Sequence, residues 1–231
     1  MRVAVVRFPA SNCDLDAVNA LSKIKAVRPA LVWHEDRTLK DYDAVVLPGG
    51  FSYGDYLRAG AIAATSPAIR IVKEMAEGGT PVLGICNGFQ ILVESGMLPG
   101  ALLRNTTLRF VCRWVEIDVE NNNTFFTAGL KNRQVLRMPI AHNEGRYFLP
   151  RHELDALEAA GRVVFRYCDD AGRATPGSNP TGTLHNIAGI CNKAGNVVGL
   201  MPHPERASEG ILSPFGTDDG SLILSHLGGA G

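Results

Sequence analysis

PVLGICNGFQILVES, residues 81–95, changes its hydrophobic period at a single residue. Residues 81–85 form a short apolar run suited to a strand buried on both faces, and residues 87–95 predict a helix that Gly96 stops. Between the two stands Gly84-x-Cys86-x-Gly88. This is the cysteine counterpart of the Gly-x-Ser-x-Gly turn, in which a strand delivers a nucleophile to the start of a helix. Such a turn crowds its flanks, so small residues are needed there, and the positive end of the helix dipole favours a thiolate. Read alone, the same letters also describe a buried cysteine between glycines that end a strand. The surrounding chain has to choose between the two.

Upstream, the pattern repeats strand and helix. Residues 3–8 (VAVVRF), 30–34 and 43–48 predict strands. Residues 11–26 open with capping residues and place Leu15, Val18, Leu21 and Ile24 on one helical face. Residues 66–79 predict a helix with Ser66 as N-cap, Pro67 at the first helical position and Gly78 as the left-handed stop. Alternation with short connections implies a parallel sheet covered on both faces. From about residue 101 the pattern changes: 108–120 and 134–142 read as strands and 151–161 as a short helix. Residues 162–168, 187–192 and 196–202 read as antiparallel strands, the last two joined by the turn NKAG. With no linker and no internal repeat, residues 1–231 are expected to form one α/β domain, a mostly parallel sheet with an antiparallel extension.

Bulk properties exclude several classes of function. Twenty-three basic residues balance 23 acidic ones, which leaves no electrostatic footprint for nucleic acid or a membrane surface. No apolar run is long enough to span a bilayer, and the N-terminal one is too short for a signal-peptide core. The 5 cysteines are odd in number and scattered, with no CxxC pair or Cys/His cluster, so neither zinc nor a disulfide framework is expected. Reduced thiols fit a cytoplasmic compartment. Cys13, Cys112, Cys168 and Cys191 are expected only to pack.

Two further stretches complete a chemistry. In MPHPER (201–206), His203 and Glu205 are two residues apart, so an extended segment sends both side chains to one side, with Pro204 stiffening it. A carboxylate beside a histidine holds one tautomer and stabilises the imidazolium. In LPGGF (47–51), two glycines let the backbone approach a ligand and aim amides inward, where Gly50 or Phe51 could join Asn87 in stabilising an oxyanion. Each stretch is unremarkable alone. All three fall at strand C-terminal ends, where open α/β sheets bind ligands, and together they supply what cysteine acyl transfer requires.

These pieces, in this order and spacing, resemble the class I glutamine amidotransferases. The resemblance implies a flavodoxin-like core and a triad of Cys86, His203 and Glu205. The implied reaction is attack on the glutamine side-chain amide, a glutamyl thioester, ammonia release and hydrolysis to glutamate. More narrowly, PGGFSYGDYLRAGAIAA (48–64), with FPASNCD (8–14), GICNGFQ (84–90), FVCRWV (110–115), PIAHNEGRYF (139–148), NPTGT (179–183) and GLMPHPERA (199–207), resembles the stand-alone glutaminase subunits of phosphoribosylformylglycinamidine synthase. That resemblance implies a separate synthetase subunit (PurL) carrying ATP and magnesium, and a small third subunit (PurS), with no cofactor in this chain. Gln90, Asn105 and Arg109 are the implied glutamine-binding candidates. His142, Glu144 and Arg146 are read as residues of the site's mouth or a partner interface. The alternatives are a glutaminase serving another synthetase and an independent cysteine hydrolase. The close spacing of His203 and Glu205 argues against the usual hydrolase arrangement. The chain has no GxxxxGK[ST] phosphate loop of its own.

Overall fold

Val3, Ala4, Val5 and Val6 are all inaccessible to solvent, so the first strand, β1 (Arg2–Arg7), is covered on both faces. A computed structural model describes residues 1–229. After β1 the chain runs α1 (Asp14–Ser22), β2 (Arg28–Trp33), β3 (Ala44–Leu47), α2 (Pro67–Glu77), β4 (Val82–Ile85) and α3 (Asn87–Glu94). It continues with β5 (Ala101–Leu103), β6 (Val111–Val119), β7 (Val135–His142), β8 (Arg146–Phe148), α4 (Arg151–Ala159) and β9 (Val163–Cys168). The last elements are β10 (Ile187–Cys191), β11 (Val197–Leu200) and α5 (Asp219–Leu224).

Nine strands form one sheet in the order β2-β1-β3-β4-β11-β10-β9-β6-β7, while β5 and β8 pair separately. The first five are parallel and wound as in flavodoxin-like folds; the rest are joined by antiparallel pairings. Every residue of β3, β4 and β11 is buried, which is why these segments read as unbroken apolar runs. In β7 burial alternates instead, as on a one-sided strand, and its edge position tolerates Pro139, which has no amide to donate.

Small residues bring α3 unusually close to the sheet. Gly84 of β4 pairs with Gly199 of β11, and a Cβ on Gly199 would lie 2.1 Å from the Phe89 ring. A Cβ on Gly88 would lie 1.9 Å from the Leu47 carbonyl oxygen. The strand-to-helix turn therefore admits no side chain at either flank.

Three local expectations change. In α1 the buried face is Ala17, Ala20 and Leu21, while Leu15 is exposed, and the N-cap position falls on Cys13, which makes no side-chain capping bond. The small alanines let the helix lie close to β1 and β2, so the bulkier Leu15 is not needed for the contact. The left-handed residue closing α2 is Gly79 (φ 94°), one beyond Gly78 (φ −77°). Ser66 does stand at the N-cap of α2, but its buried hydroxyl caps nothing and finds no partner among the described residues. Among the described residues, no helix is long and apolar enough to cross a membrane.

Candidate active site

Strands β3, β4 and β11 are neighbours in the sheet, and each ends in one of the three stretches: Pro48-Gly49-Gly50, Cys86, and Met201-Pro202-His203. Cys86 links β4 to α3 with φ 50° and ψ −103°, a conformation that ordinary side chains avoid. The surroundings hold it there: the Cys86 amide donates to the Leu200 carbonyl at 2.8 Å, and the Cys86 carbonyl accepts from the Gln90 amide at 3.1 Å. The thiol sits at the start of α3, where the first-turn amides have no helical acceptors.

His203 is fixed from the opposite side. Its amide donates to the carbonyl of Pro139 at 2.9 Å, tying the end of β11 to β7. The stretch is not extended as the sequence suggested: Pro204–Ala207 is a 3-10 turn. The turn still brings Glu205 Oε1 to 2.6 Å from His203 Nδ1, with both side chains buried. Burial works against a charged imidazole, but Glu205 and then Cys86 outweigh it and raise the His203 pKa well above its ordinary value. Among the described residues His203 Nε2 has no hydrogen-bond partner, so this nitrogen is free to exchange a proton.

Gly49 and Gly50 are glycines for visible reasons. A Cβ on Gly49 would lie 2.6 Å from His203 Cε1, and Gly50 has φ 137° with the Asn12 amide behind it. The Gly50 amide has no backbone acceptor among the described residues, whereas the Phe51 amide donates to the Ala10 carbonyl at 3.3 Å. Phe51 is therefore not an oxyanion donor. Its ring walls the pocket instead, beside Phe110 at a centroid distance of 6.3 Å. That leaves the amides of Gly50 and of Asn87, the first residue of α3, as the candidates.

Cys86 opens into a cavity of about 170 Å³ lined by Gly50, Phe51, Asp55, Gln90, Arg104 and the segment 141–144. A polar chain crosses it. The Asn87 side chain accepts from the Ser52 amide at 3.2 Å and donates to Gln90 Oε1 at 2.9 Å. Gln90 Nε2 in turn donates to the Glu144 carbonyl at 2.6 Å. Gln90 thus lines the cavity. His142 is buried in the pocket wall, not at its mouth, and burial, with His203 adding to it, lowers its pKa to about 3. A Cβ on Gly145 would lie 2.0 Å from the His142 ring, which is how the turn after β7 encloses it.

The remaining candidates fall elsewhere. Asn105 is fully buried, but its side chain is spent on the carbonyls of Arg109 (2.9 Å) and His142 (3.0 Å) and on the Gly145 amide (3.1 Å). It shapes the loop and does not face the cavity. Arg109 is exposed and outside the lining, and Arg146 donates to the Arg104 carbonyl at 3.0 Å from outside it. Glu144 does line the cavity. The residues that sequence reasoning missed are Asp55 and Arg104. Asp55 lies within residues 48–64, and Arg104 stands one residue before the candidate Asn105.

Cys13 was also underrated. Its thiol, His203 and Glu205 place ligand-type atoms within 4.8 Å of one another, the kind of cluster that could hold a metal. Glu205 already occupies Nδ1 of the imidazole, so the free donors fall short of a closed tetrahedral set. Burial raises the Cys13 pKa, and its Sγ donates to Asn12 Oδ1 at 3.2 Å. Cys112 is exposed and does not pack in the core. Larger surface cavities of about 400 and 630 Å³ lack Cys86, although the second includes Glu205 in its wall.

The model of the CobB/CobQ-like glutamine amidotransferase domain matches residues 1–221. The chain belongs to this family. It is 54% identical to phosphoribosylformylglycinamidine synthase subunit PurQ of Chlorobaculum parvum, covering 98% of this chain and 89% of that one. The PurQ subunit of Aquifex aeolicus is 52% identical, with 98% and 99% covered. Among solved structures, PurLQS from Thermotoga maritima superposes with a TM-score of 0.85 at 44% identity, covering 98% of this chain and 96% of the matched one. A second glutamine amidotransferase from Thermotoga maritima is 20% identical with a TM-score of 0.57, covering 92% and 78%, a likeness of fold alone.

Proposed function

We propose that this chain is the glutaminase subunit of phosphoribosylformylglycinamidine synthase. The observation that carries the chemistry is the strained Cys86 turn opening into a pocket beside a buried His203–Glu205 pair. The subunit identity is supported by the PurQ relatives, which match nearly the whole chain. Residues 1–231 then act as one glutamine amidotransferase domain.

In this reading the Cys86 thiolate attacks the side-chain amide carbon of glutamine, forming a carbon–sulfur bond. The Gly50 and Asn87 amides receive the developing oxyanion. His203 Nε2 gives its proton to the leaving nitrogen, the carbon–nitrogen bond breaks, and ammonia departs from a glutamyl thioester. Nε2 then takes a proton from water, whose oxygen attacks the thioester, and glutamate leaves as the thiol is restored. Glutamine and water become glutamate and ammonia. Glu205 holds the imidazole throughout and stabilises its charged form.

Ammonia passes to the synthetase subunit PurL, assembled with the small subunit PurS, which converts formylglycinamide ribonucleotide to its amidine in purine biosynthesis. ATP and magnesium belong to that partner, this chain carries no cofactor, and the complex works in the cytoplasm. Reconstitution with PurL and PurS tests the assignment: amidine should form from glutamine and from ammonium. A complex that uses ammonium but never glutamine overturns it. Turnover of simple esters by the isolated chain, without glutaminase activity, would favour an independent hydrolase.

A further inference from the structure

Cys13, His203 and Glu205 each bring one ligand-type atom within 4.8 Å of the other two, and all three residues are buried. A glycine lets them meet. The Cys13 amide donates to the Gly49 carbonyl at 3.3 Å, and a Cβ on Gly49 would lie 3.2 Å from both Cys13 Sγ and His203 Nδ1. Cys13 therefore stands at the Nδ1 edge of the imidazole, where Glu205 Oε1 also binds at 2.6 Å. A second observation points to an occupant: Glu205 Oε2 is buried and has no hydrogen-bond partner among the described residues. The surface cavity of about 630 Å³ has Glu205 in its wall and does not include Cys86, so it offers an approach separate from the substrate pocket. The two cations of that cavity are matched elsewhere, Arg206 by Asp16 and Lys23 by Glu209, and neither forms a salt bridge with Glu205.

Thiolate, imidazole and carboxylate form the donor set of an open zinc site, with water as the fourth ligand. Around one ion such donors stand roughly 3 to 4 Å apart, so the cluster has to contract by about 1 Å. The thiolate and the carboxylate cancel the two charges of the ion, which lets a buried site hold it. We propose that Cys13, His203 through Nδ1, and Glu205 form an inhibitory zinc site, entered from the larger cavity, that switches the glutaminase off. In the resting protein the Nδ1 proton fills the place between His203 and Glu205, which is why the donors do not form a closed structural site. Binding the ion releases that proton and the Cys13 thiol proton to solvent. The ion then holds the Nδ1 lone pair while Nε2 keeps its proton. The ring no longer has an imidazolium form, so it neither protonates the leaving nitrogen nor takes a proton from water. The inhibition rests on the glutaminase reading; the metal binding does not. Magnesium is a hard ion that takes oxygen ligands, so the metal of the synthetase does not compete for this site.

The experiment has two arms. In the first, the full chain is titrated with Co²⁺, a spectroscopic stand-in for zinc, and then with Zn²⁺. The wild-type chain should show the sulfur-to-cobalt charge-transfer band and the d–d bands of a tetrahedral thiolate site, and zinc should erase both. Cys86→Ala should keep these bands, and Cys13→Ser should lose the charge-transfer band. In the second arm, Zn²⁺ buffered at defined free concentrations is added to the chain assembled with its synthetase. Glutamine-dependent amidine formation should fall through kcat at an unchanged glutamine KM, ammonium-dependent synthesis should continue, and a chelator should reverse the loss. Cys13→Ala should need at least about 100-fold more zinc, beyond the 10- to 100-fold that follows loss of a ligand's supporting partner. Activity of the Cys13 variants without zinc reports that they are folded. Bands that survive in Cys13→Ser or vanish in Cys86→Ala overturn the site. Zinc inhibition that glutamine relieves, or that Cys13→Ala leaves unchanged, also overturns it. The expected bands in a chain whose complex never uses glutamine overturn the glutaminase reading and leave the metal site standing. An active glutaminase that binds no cobalt overturns this inference alone.

Discussion

Two strand-to-helix junctions end in cysteines beside the same histidine, and they are built differently. At Cys86 the chain passes from β4 to α3 through one residue with positive φ, and Gly84 and Gly88 admit the helix to backbone contact. At Cys13 it passes from β1 to α1 through a longer loop, and the cysteine has an ordinary φ of −103°. Both thiols are buried and both lie near His203. Only Cys86 lines the cavity. Proximity to a base is thus common to the two, and what separates them is backbone geometry and access. The largest test follows directly. Cys86→Ala should lower glutamine-dependent activity by at least about 10⁴-fold while ammonium-dependent synthesis by the complex persists, measured side by side in the reconstituted enzyme. If Cys13→Ala had an equal effect, the contrast would collapse.

The histidine these cysteines share depends on its carboxylate. Burial opposes the imidazolium and Glu205 restores it, so Glu205→Gln should lower the His203 pKa. A step that needs the imidazolium as proton donor is then lost at lower pH. The alkaline limb of kcat/KM should move down by about one unit or more, with kcat falling roughly 10³-fold. An unmoved limb in a folded Glu205→Gln variant would show that another group sets the titration.

The glycines sharpen the comparison in stability. Gly88→Ala forces a Cβ to within 1.9 Å of the Leu47 carbonyl, so α3 must leave β3. A loss of roughly 3 kcal/mol is expected, read from urea midpoints at constant m. Gly96, at φ 73° with open space around it, provides the control. Alanine there meets only left-handed strain, and roughly 1 kcal/mol should be lost. Equal losses would mean that contact between helix and strand does not hold the turn.

The sequence made these two junctions unequally legible, for a physical reason. The Cys86 turn was visible because its constraints are local: its flanks must be glycine, and the base and its orienter are two residues apart. Gly49 and Gly50 were visible for the same reason. The pocket wall depends on contacts between distant segments. Arg104 faces the cavity and Arg109 does not because the Asn105 side chain folds the loop back onto the Arg109 carbonyl. Asp55 meets Glu144 across 88 intervening positions, a pairing that no spacing rule reads. The strands of the second half could be read one by one. Their order, β10-β9-β6-β7, could not, because antiparallel neighbours need not follow chain order.

The smallest expected effect concerns Cys13 itself. Burial raises its pKa, so at neutral pH it stays a thiol, whereas Cys86 stands at a helix start with an open approach. Iodoacetamide at neutral pH should therefore modify Cys86 first, as read by mass spectrometry of the intact chain and its peptides. Replacing Cys13 by alanine removes one sulfur from a filled space against His203, with a cost of about 1 kcal/mol in stability. The ring keeps its Glu205 bond and its Pro139 anchor, so glutaminase activity should fall by less than about fivefold. Labelling of Cys13 at a rate matching Cys86 would make the neighbouring histidine, and not the turn, the source of reactivity.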